Sequence, residues 1–321
     1  MEEFASTNRR GFIKQSLTLG ALATLSAVPN WSTAKAKEVR LTILHSNDVH
    51  SRIEPFPMDG SRYQGLAGVA RRSSLINKIR AEEAQVLLVD SGDMFQGTPY
   101  FNMFEGKLEL ELMSKLGYEA GTFGNHEFDN GIDGLVKHLD KATFPFLTAN
   151  YDFSGTLLEG KTQEYTIINK GDLRIGLTGV GIDIEGLVDP NNYKGMKYLD
   201  PIPVVNRVAK MLKEEKGCDL VIVLSHLGYT YSDDKVSDLK LAANTQHVDI
   251  ILGGHTHTFL DEPTRVKNRQ GNEVLVNQMG FAGIRLGRLD VVFNKATGKK
   301  QVFANHYAID HRLDGQTLAS L

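Results

Sequence analysis

The sequence predicts an α/β protein of four layers, with two mixed β-sheets packed as a sandwich and flanked by helices. Three observations carry this. Short continuous apolar runs, residues 85–90 (QVLLVD) and 219–224 (DLVIVL), have the length and Val/Ile/Leu content of strands buried on both faces. Segments with apolar residues at helical spacing separate such runs, the alternation that builds parallel β-units with helices on the sheet faces. A hairpin pattern turning at Lys170-Gly171-Asp172 and a strand-rich last third add antiparallel partners.

In chain order, residues 39–45 (VRLTILH) alternate and then run apolar, as a strand does. Leu66, Val69, Leu75, Ile76 and Ile79 predict a helix over 65–83, before the strand at 85–90. Residues 108–116 form a helix stopped by Gly117, because glycine accepts the left-handed C-terminal turn. A strand at 120–123, a helix at 132–139 and a strand at 144–149 follow, then the hairpin of 164–168 and 174–180. Pro201 opens a helix at 202–215, ahead of the strand at 219–224. A helix at 233–243 precedes strands at 248–252, 264–266, 273–277 and 288–293. Residues 55–65 and 150–160 are the expected mobile loops; 37–310 are expected to form one catalytic domain and 311–321 a tail.

Composition narrows the function. Of 321 residues, 41% are hydrophobic and 23% charged, with a net charge of −3, which leaves no basic stripe for a nucleic-acid polymer. Cys218 is the one cysteine, so neither an internal disulfide nor a thiolate zinc site is available. The first 36 residues differ from the rest: Arg9-Arg10-Gly11-Phe12-Ile13-Lys14, an apolar run over 16–28 and Ala34-Lys35-Ala36 read as a cleavable twin-arginine export signal. The apolar run is 13 residues long, short of the ~20 that span a bilayer, so a periplasmic or secreted protein without a stable membrane anchor is expected.

The polar chemistry clusters where strands end. In such folds ligands bind beyond the carboxyl ends of the strands. Asn47-Asp48-Val49-His50 follows the first strand, Ser91-Gly92-Asp93 the second and Gly124-Asn125-His126-Glu127 the third. His226 follows DLVIVLS, and Gly253-Gly254-His255-Thr256-His257 follows VDIIL. Any one cluster is compatible with a polar turn; five at the same end of the sheets are hard to ascribe to turn chemistry alone.

Asp48, His50, Asp93, Asn125, His226, His255 and His257 offer seven oxygen and nitrogen donors, too many for one tetrahedral zinc. They suit two divalent ions that share a carboxylate, and the mixture of hard oxygens with imidazoles favours manganese, zinc or iron over calcium. Asp93 is the expected bridge, because Gly92 lets the backbone approach closely. Asn125 and His126 are the residues expected to touch substrate. Asp129, three residues on, is placed to hold His126 in its protonated form, making the two a catalytic pair. Glu127 is expected to pin the turn through backbone hydrogen bonds.

The words HSNDVHS, DSGDMFQGTP, TFGNHEFDNG, SHLG and GGHTHTFL resemble the motifs of the calcineurin-like metallophosphoesterases, most closely their 5′-nucleotidase branch. The resemblance implies one metal site of Asp48, His50, Asp93 and His257, a second of Asp93, Asn125, His226 and His255, and a small phosphate ester, a nucleotide first of all, as substrate. It also implies a C-terminal domain that sandwiches the base between aromatic rings. No segment here corresponds to one, so a separate nucleotide-binding polypeptide or a smaller substrate is expected. Two other readings remain open at this point: a thiosulfate-ester-type hydrolase of the same branch, and a non-catalytic metal-binding subunit.

Overall fold

A computed structural model describes residues 38–315; the export signal expected at 1–36 and residues 316–321 of the expected tail lie outside the described residues. One sheet has the order β13-β12-β1-β2-β3 and the other the order β10-β11-β9-β8-β6-β5. The strands are β1 Glu38–Ser46, β2 Val86–Asp90, β3 Ala120–Gly121, β4 Tyr151–Asp152, β5 Tyr165–Lys170, β6 Leu173–Gly181, β7 Lys197–Tyr198 and β8 Leu220–His226. They continue with β9 Ile250–Gly253, β10 Thr264–Lys267, β11 Glu273–Asn277, β12 Arg285–Asn294 and β13 Lys300–Ala308. The helices are α1 Val69–Glu82, α2 Pro99–Phe104, α3 Lys107–Leu116, α4 Gly131–His138, α5 Pro201–Lys210 and α6 Asp238–Asn244.

Both sheets are mixed, with β1, β2 and β3 parallel in one and β6, β8, β9 and β11 parallel in the other. The layers follow from the two-residue period of a strand. Leu41 and Ile43 of β1 and Leu87 and Val89 of β2 meet Ile222 and Leu224 of β8 and Ile250 and Leu252 of β9 between the sheets. The alternate residues Leu44 and Leu88 turn outward onto Ile76, Ile79, Leu110 and Met113 of α1 and α3. On the far side Val221 and Val223 pack against Val205 and Val208 of α5 and Leu241 of α6. Helix, sheet, sheet, helix is the expected four-layer order.

Register places the strand ends together. Ser46 pairs with Asp90, Asp90 with Gly121, Gly181 with His226, and Ser225 with Gly253. The polar clusters therefore emerge at one end of the sandwich.

Several elements depart from the sequence reading, each for a local reason. Residues 144–149 form isolated bridges rather than a strand, because they cross between the sheets: Leu147 N donates to Gly121 O at 2.8 Å and Ala149 N to Gly179 O at 2.8 Å. A Cβ on Gly179 would lie 2.1 Å from Leu147 O, so only glycine admits this crossing. The strand expected at 120–123 ends at Gly121. The helix expected from residue 65 starts at Val69, after Gly65 and Gly68 at positive φ. The helix expected from 233 starts at Asp238, capped by the Ser237 side chain. The helix beginning at Pro201 changes to a π-turn over Met211–Glu215. Residues 150–160, expected to be mobile, are anchored by buried Asn150, Tyr151, Phe153 and Leu158 and by pairing of β4 with β7. Of the expected tail, His311–Leu313 form a 3-10 turn and Asp314 accepts two bonds from Arg71, at 2.6 and 2.8 Å. Among the described residues no helix is long and apolar enough to cross a membrane.

Phe123 packs against Phe146 with ring centroids 4.6 Å apart and is fully buried just ahead of the Gly124-Asn125-His126-Glu127 cluster. Phe123→Ala is expected to cost about 3–5 kcal/mol by emptying that space, a loss that urea denaturation of the purified protein measures directly.

Candidate metal centre

The seven sequence-predicted donors converge. Asp48, His50 and His257 turn one ligand atom each into a space where all lie within 4.8 Å of one another; Asp93, His226 and His255 do the same in a second space. The outer group has His50 Nε2 3.0 Å from His257 Nε2, and His257 Nε2 3.4 Å from Asp48 Oδ1. The inner group has His226 Nε2 3.0 Å from Asp93 Oδ2 and His255 Nδ1 2.9 Å from Asn125 Oδ1. Asp48 also approaches the inner group, its Oδ1 3.9 Å from His226 Nε2. Asp93 also clusters with His50 and His126, so it faces both groups, as a bridging carboxylate must.

The backbone at this end is bent to deliver these groups. Asp48, His50, Asp93, His255 and His257 all have positive φ, between 48° and 71°. That region is uncommon for residues other than glycine, and five instances in one site store strain that surrounding bonds must hold. Gly92 and Gly124 leave the room. A Cβ on Gly124 would lie 2.2 Å from Asp93 Oδ1 and 2.5 Å from His226 Nε2; one on Gly92 would lie 2.6 Å from Gly124 N.

Second contacts fix each ring and carboxylate. His226 Nδ1 donates to Ser91 O at 2.7 Å and His50 Nδ1 to Phe95 O at 3.1 Å, which turns both Nε2 atoms into the site. Glu127 accepts from the backbone N–H groups of Asp93, Met94, Phe95 and Gly124, at 3.0, 2.9, 3.2 and 2.6 Å, tying the second and third clusters together. Asp48 accepts from His255 N at 3.0 Å. Two residues outside the sequence-derived set complete the support. Asn47 donates to Asp48 Oδ2 and to Gly280 O, each at 2.6 Å, and Gln278 donates to Gly254 O at 2.7 Å while accepting from Thr258 N. Gln278 had a signal, since Asn277-Gln278 is a further pair of amides at a strand end. The carbonyls of Ser91 and Phe95 had none.

The electrostatics match a site for cations. Burial disfavours the Asp93 carboxylate, yet the charge and the close contact of His226, with the charge of His126, outweigh it and hold Asp93 well below the usual range. Burial likewise opposes charge on His226, but Asp93 lifts it to about 10. Burial lowers His255 to about 4 and also lowers His50, leaving both neutral and ready to ligate near pH 7. Burial, with Asp93 nearby, raises Glu127 to about 8. His226 Nε2 is fully buried and makes no well-aligned hydrogen bond although Asp93 Oδ2 is 3.0 Å away. Ligand atoms crowded within 4.8 Å of one another, with the buried His226 Nε2 left without an aligned partner, fit a site for divalent ions. No thiolate contributes, and Cys218 is buried in the core around α5, outside this donor set.

Beside the donors, His126 Nδ1 lies 2.7 Å from Asp129 Oδ2, and His126 N donates to Asp93 Oδ1 at 2.9 Å. Its ring is half-exposed and meets the His50 ring edge-on at 5.2 Å. Burial works against its charge, but the Asp129 bond and the Asp93 charge raise it to about 9, so it is a cation at neutral pH. Gln96 Nε2 at 3.3 Å and Asn192 Nδ2 at 2.7 Å hold Asp129 through its carboxylate and its carbonyl.

Residues 41–259 match the family described as calcineurin-like phosphoesterase. The chain belongs to that family. It is 36% identical over 280 residues to the snake venom 5′-nucleotidase of Gloydius brevicauda, covering 81% of this chain and 46% of that protein. It is 34% identical over 312 residues to the 5′-nucleotidase of Bos taurus, covering 90% and 51%. The crystal structure of a 5′-nucleotidase precursor from Thermus thermophilus superposes with a TM-score of 0.77 at 33% identity, over 86% of this chain and 55% of that one. This calcineurin-like phosphoesterase thus spans about half the length of the curated relatives it matches.

Proposed function

We propose that this protein is an exported phosphoesterase that uses two divalent ions to hydrolyse 5′-nucleotides or related nucleotide esters to free phosphate. The carrying observation is a pair of adjoining triads, Asp48-His50-His257 and Asp93-His226-His255, with Asn125 against His255, Asp93 also grouped with His50, and the His126–Asp129 pair beside them. The outer ion would be held by Asp48, His50, Asp93 and His257, the inner by Asp93, Asn125, His226 and His255. A pair of manganese, zinc or iron ions there would neutralise the phosphoryl group and lower the pKa of the attacking water.

The chain's own residues then do the rest. The His126 imidazolium, oriented through Nδ1 by Asp129, presents Nε2 to the phosphoryl oxygens or to the leaving oxygen, and offers charge or a proton there. Asn125, whose Oδ1 faces His255, lies next to it and contacts the ester. Glu127 and Gln278 keep the loops from relaxing out of their strained conformations. The twin-arginine pattern in residues 1–36 supports export of the folded protein.

A phosphate-release panel tests this. The metal-depleted protein, supplied separately with manganese, zinc, iron(II) and calcium, is offered a nucleoside 5′-monophosphate, a cyclic nucleotide and an aryl phosphate. Release from the monophosphate with the transition metals and not with calcium is expected. Activity that appears only on adding a separate nucleotide-binding polypeptide would assign specificity to a partner. Binding of a pair of ions with no hydrolysis of any ester would refute the enzyme reading.

A further inference from the structure

Next to the outer donors lies a group of rings that the proposed chemistry leaves unused. Phe281 stacks on the His257 ring, with centroids 5.0 Å apart and planes 12° from parallel. Tyr63, Phe259 and Phe56 each meet the Phe281 ring edge-on, at 5.3, 6.0 and 6.5 Å. All four rings are only partly buried, around a small floor of Ala67, Ala282 and Ile284. The other three rings each carry a guanidinium on a face: Arg52 over Phe56 at 4.0 Å, Arg62 over Tyr63 at 5.3 Å and Arg285 over Phe259 at 5.1 Å. Arg285 is paired with Asp261 at 2.9 Å, but Arg52 has no carboxylate partner among the described residues and its buried Nε makes no hydrogen bond.

Ordinary core packing accounts poorly for this. A cluster that served only to back His257 would be satisfied by aliphatic side chains and would have no use for a cation that lacks an acidic partner. Half-exposed rings and guanidinium planes are instead the surfaces on which flat heterocycles stack. The segment carrying Phe56 and Tyr63 is held in place: Phe56 N donates to Leu66 O at 2.8 Å and Gly65 N to Phe56 O at 3.0 Å, closing the loop at its base. Residues 55–65, which the sequence suggested were mobile, thus form a compact loop that brings Tyr63 onto the ring stacked against an outer donor.

We propose that Phe56, Tyr63, Phe259 and Phe281, with Arg52, form a collar that seats the flat ring of the leaving group, a nucleobase or an aryl ring, beside the outer metal station. This rests on the phosphoesterase reading and supplies that reading with a specificity-determining surface within the catalytic fold itself.

The test uses the metal-loaded protein with Tyr63→Ala, Tyr63→Leu, which keeps bulk but removes the π-face, and Arg52→Gln. A nucleoside 5′-monophosphate is compared with ribose 5-phosphate, which lacks the ring. Both Tyr63 variants are expected to raise KM for the nucleotide about tenfold, the scale of one lost base stack, while leaving kcat and the KM for ribose 5-phosphate within about twofold. Arg52→Gln should shift the nucleotide in the same direction. The unphosphorylated nucleoside, titrated calorimetrically, should bind the parent protein and not Tyr63→Ala. Equal effects on the two esters, or a nucleoside that does not bind the parent protein, would overturn the collar. Failure of the parent protein to release phosphate from either ester would instead count against the phosphoesterase reading, and the calorimetric arm would still decide the collar.

Discussion

Asp93→Ala is expected to lower kcat/KM for a nucleoside monophosphate by about ten-thousandfold or more and to reduce bound metal from a pair of ions to one at most. Asp93 belongs to the inner group and also clusters with His50 of the outer one, so its loss is expected to weaken both spaces. The variant also disturbs the metal-free protein. His226 is fully buried and is held protonated chiefly by Asp93, so truncation leaves either a buried cation without its counter-charge or a neutral ring. Breaking a buried pair in this way costs about 3–5 kcal/mol. The pH dependence follows from the two shifts. Asp93 is depressed, so its contribution is present above its unfolded pKa of about 4 and is lost as pH falls through the lower folded value. His226 is raised to about 10, so its contribution is complete below its unfolded pKa of about 6.5 and is lost as pH rises through 10. The pair therefore contributes most in metal-free protein between about pH 4 and 6.5. Thermal unfolding against pH in chelator should show the largest gap between parent and Asp93→Ala in that window. A gap that is flat across pH would mean that Asp93 acts through packing alone. Asp93→Asn, which keeps the volume, separates the two: it should retain more stability than Asp93→Ala but no more activity.

The site was more legible than parts of the fold, and the reason is physical. A buried parallel strand reads as a continuous apolar run, so a carboxylate or imidazole directly after it marks the ligand end of the sheet. Asp48, Asp93, Asn125 and His255 were legible in this way, and His226, the last residue of β8 rather than the first after it, was off by one position. Support through the backbone left no trace in the side-chain pattern. Nothing in the sequence says that the Ser91 and Phe95 carbonyls orient His226 and His50, or that five donors need positive φ. Edge elements were lost for the opposite reason. β13 (KQVFANHYA) is half exposed and polar at alternate positions, so its apolar content falls below what marks a strand. The short helix α2 was missed although Thr98-Pro99 is a helix start signal, because it is only one and a half turns long. Residues 144–149 have strand composition but serve as a bridge between the sheets, a role set by where β3 and β6 lie and not by local sequence.

His126→Ala is expected to reduce kcat by about a hundredfold to a thousandfold, the worth of a positioned general acid or charge donor, with the metal content unchanged. The metals should stay because the bond from residue 126 to Asp93 Oδ1 comes from the backbone N–H, which alanine retains. Asp129→Asn keeps the hydrogen-bonding shape and removes the charge, and its effect should be smaller and centred on pH. In the parent protein the Asp129 bond and the Asp93 charge together lift His126, against burial, to about 9. Bound cations would neutralise Asp93 and repel the imidazolium, so in the loaded protein it should titrate below 9, with Asp129 still supporting its charge. Activity that needs the imidazolium therefore falls as pH rises through its pKa. Asp129→Asn should move that alkaline limb toward lower pH, because burial then acts on the ring without the Asp129 charge. Rate–pH profiles of kcat for the parent and for Asp129→Asn, at saturating metal, measure the displacement. An identical limb in both proteins would make Asp129 a purely structural partner, and an unchanged kcat in His126→Ala would remove the imidazole from the reaction altogether.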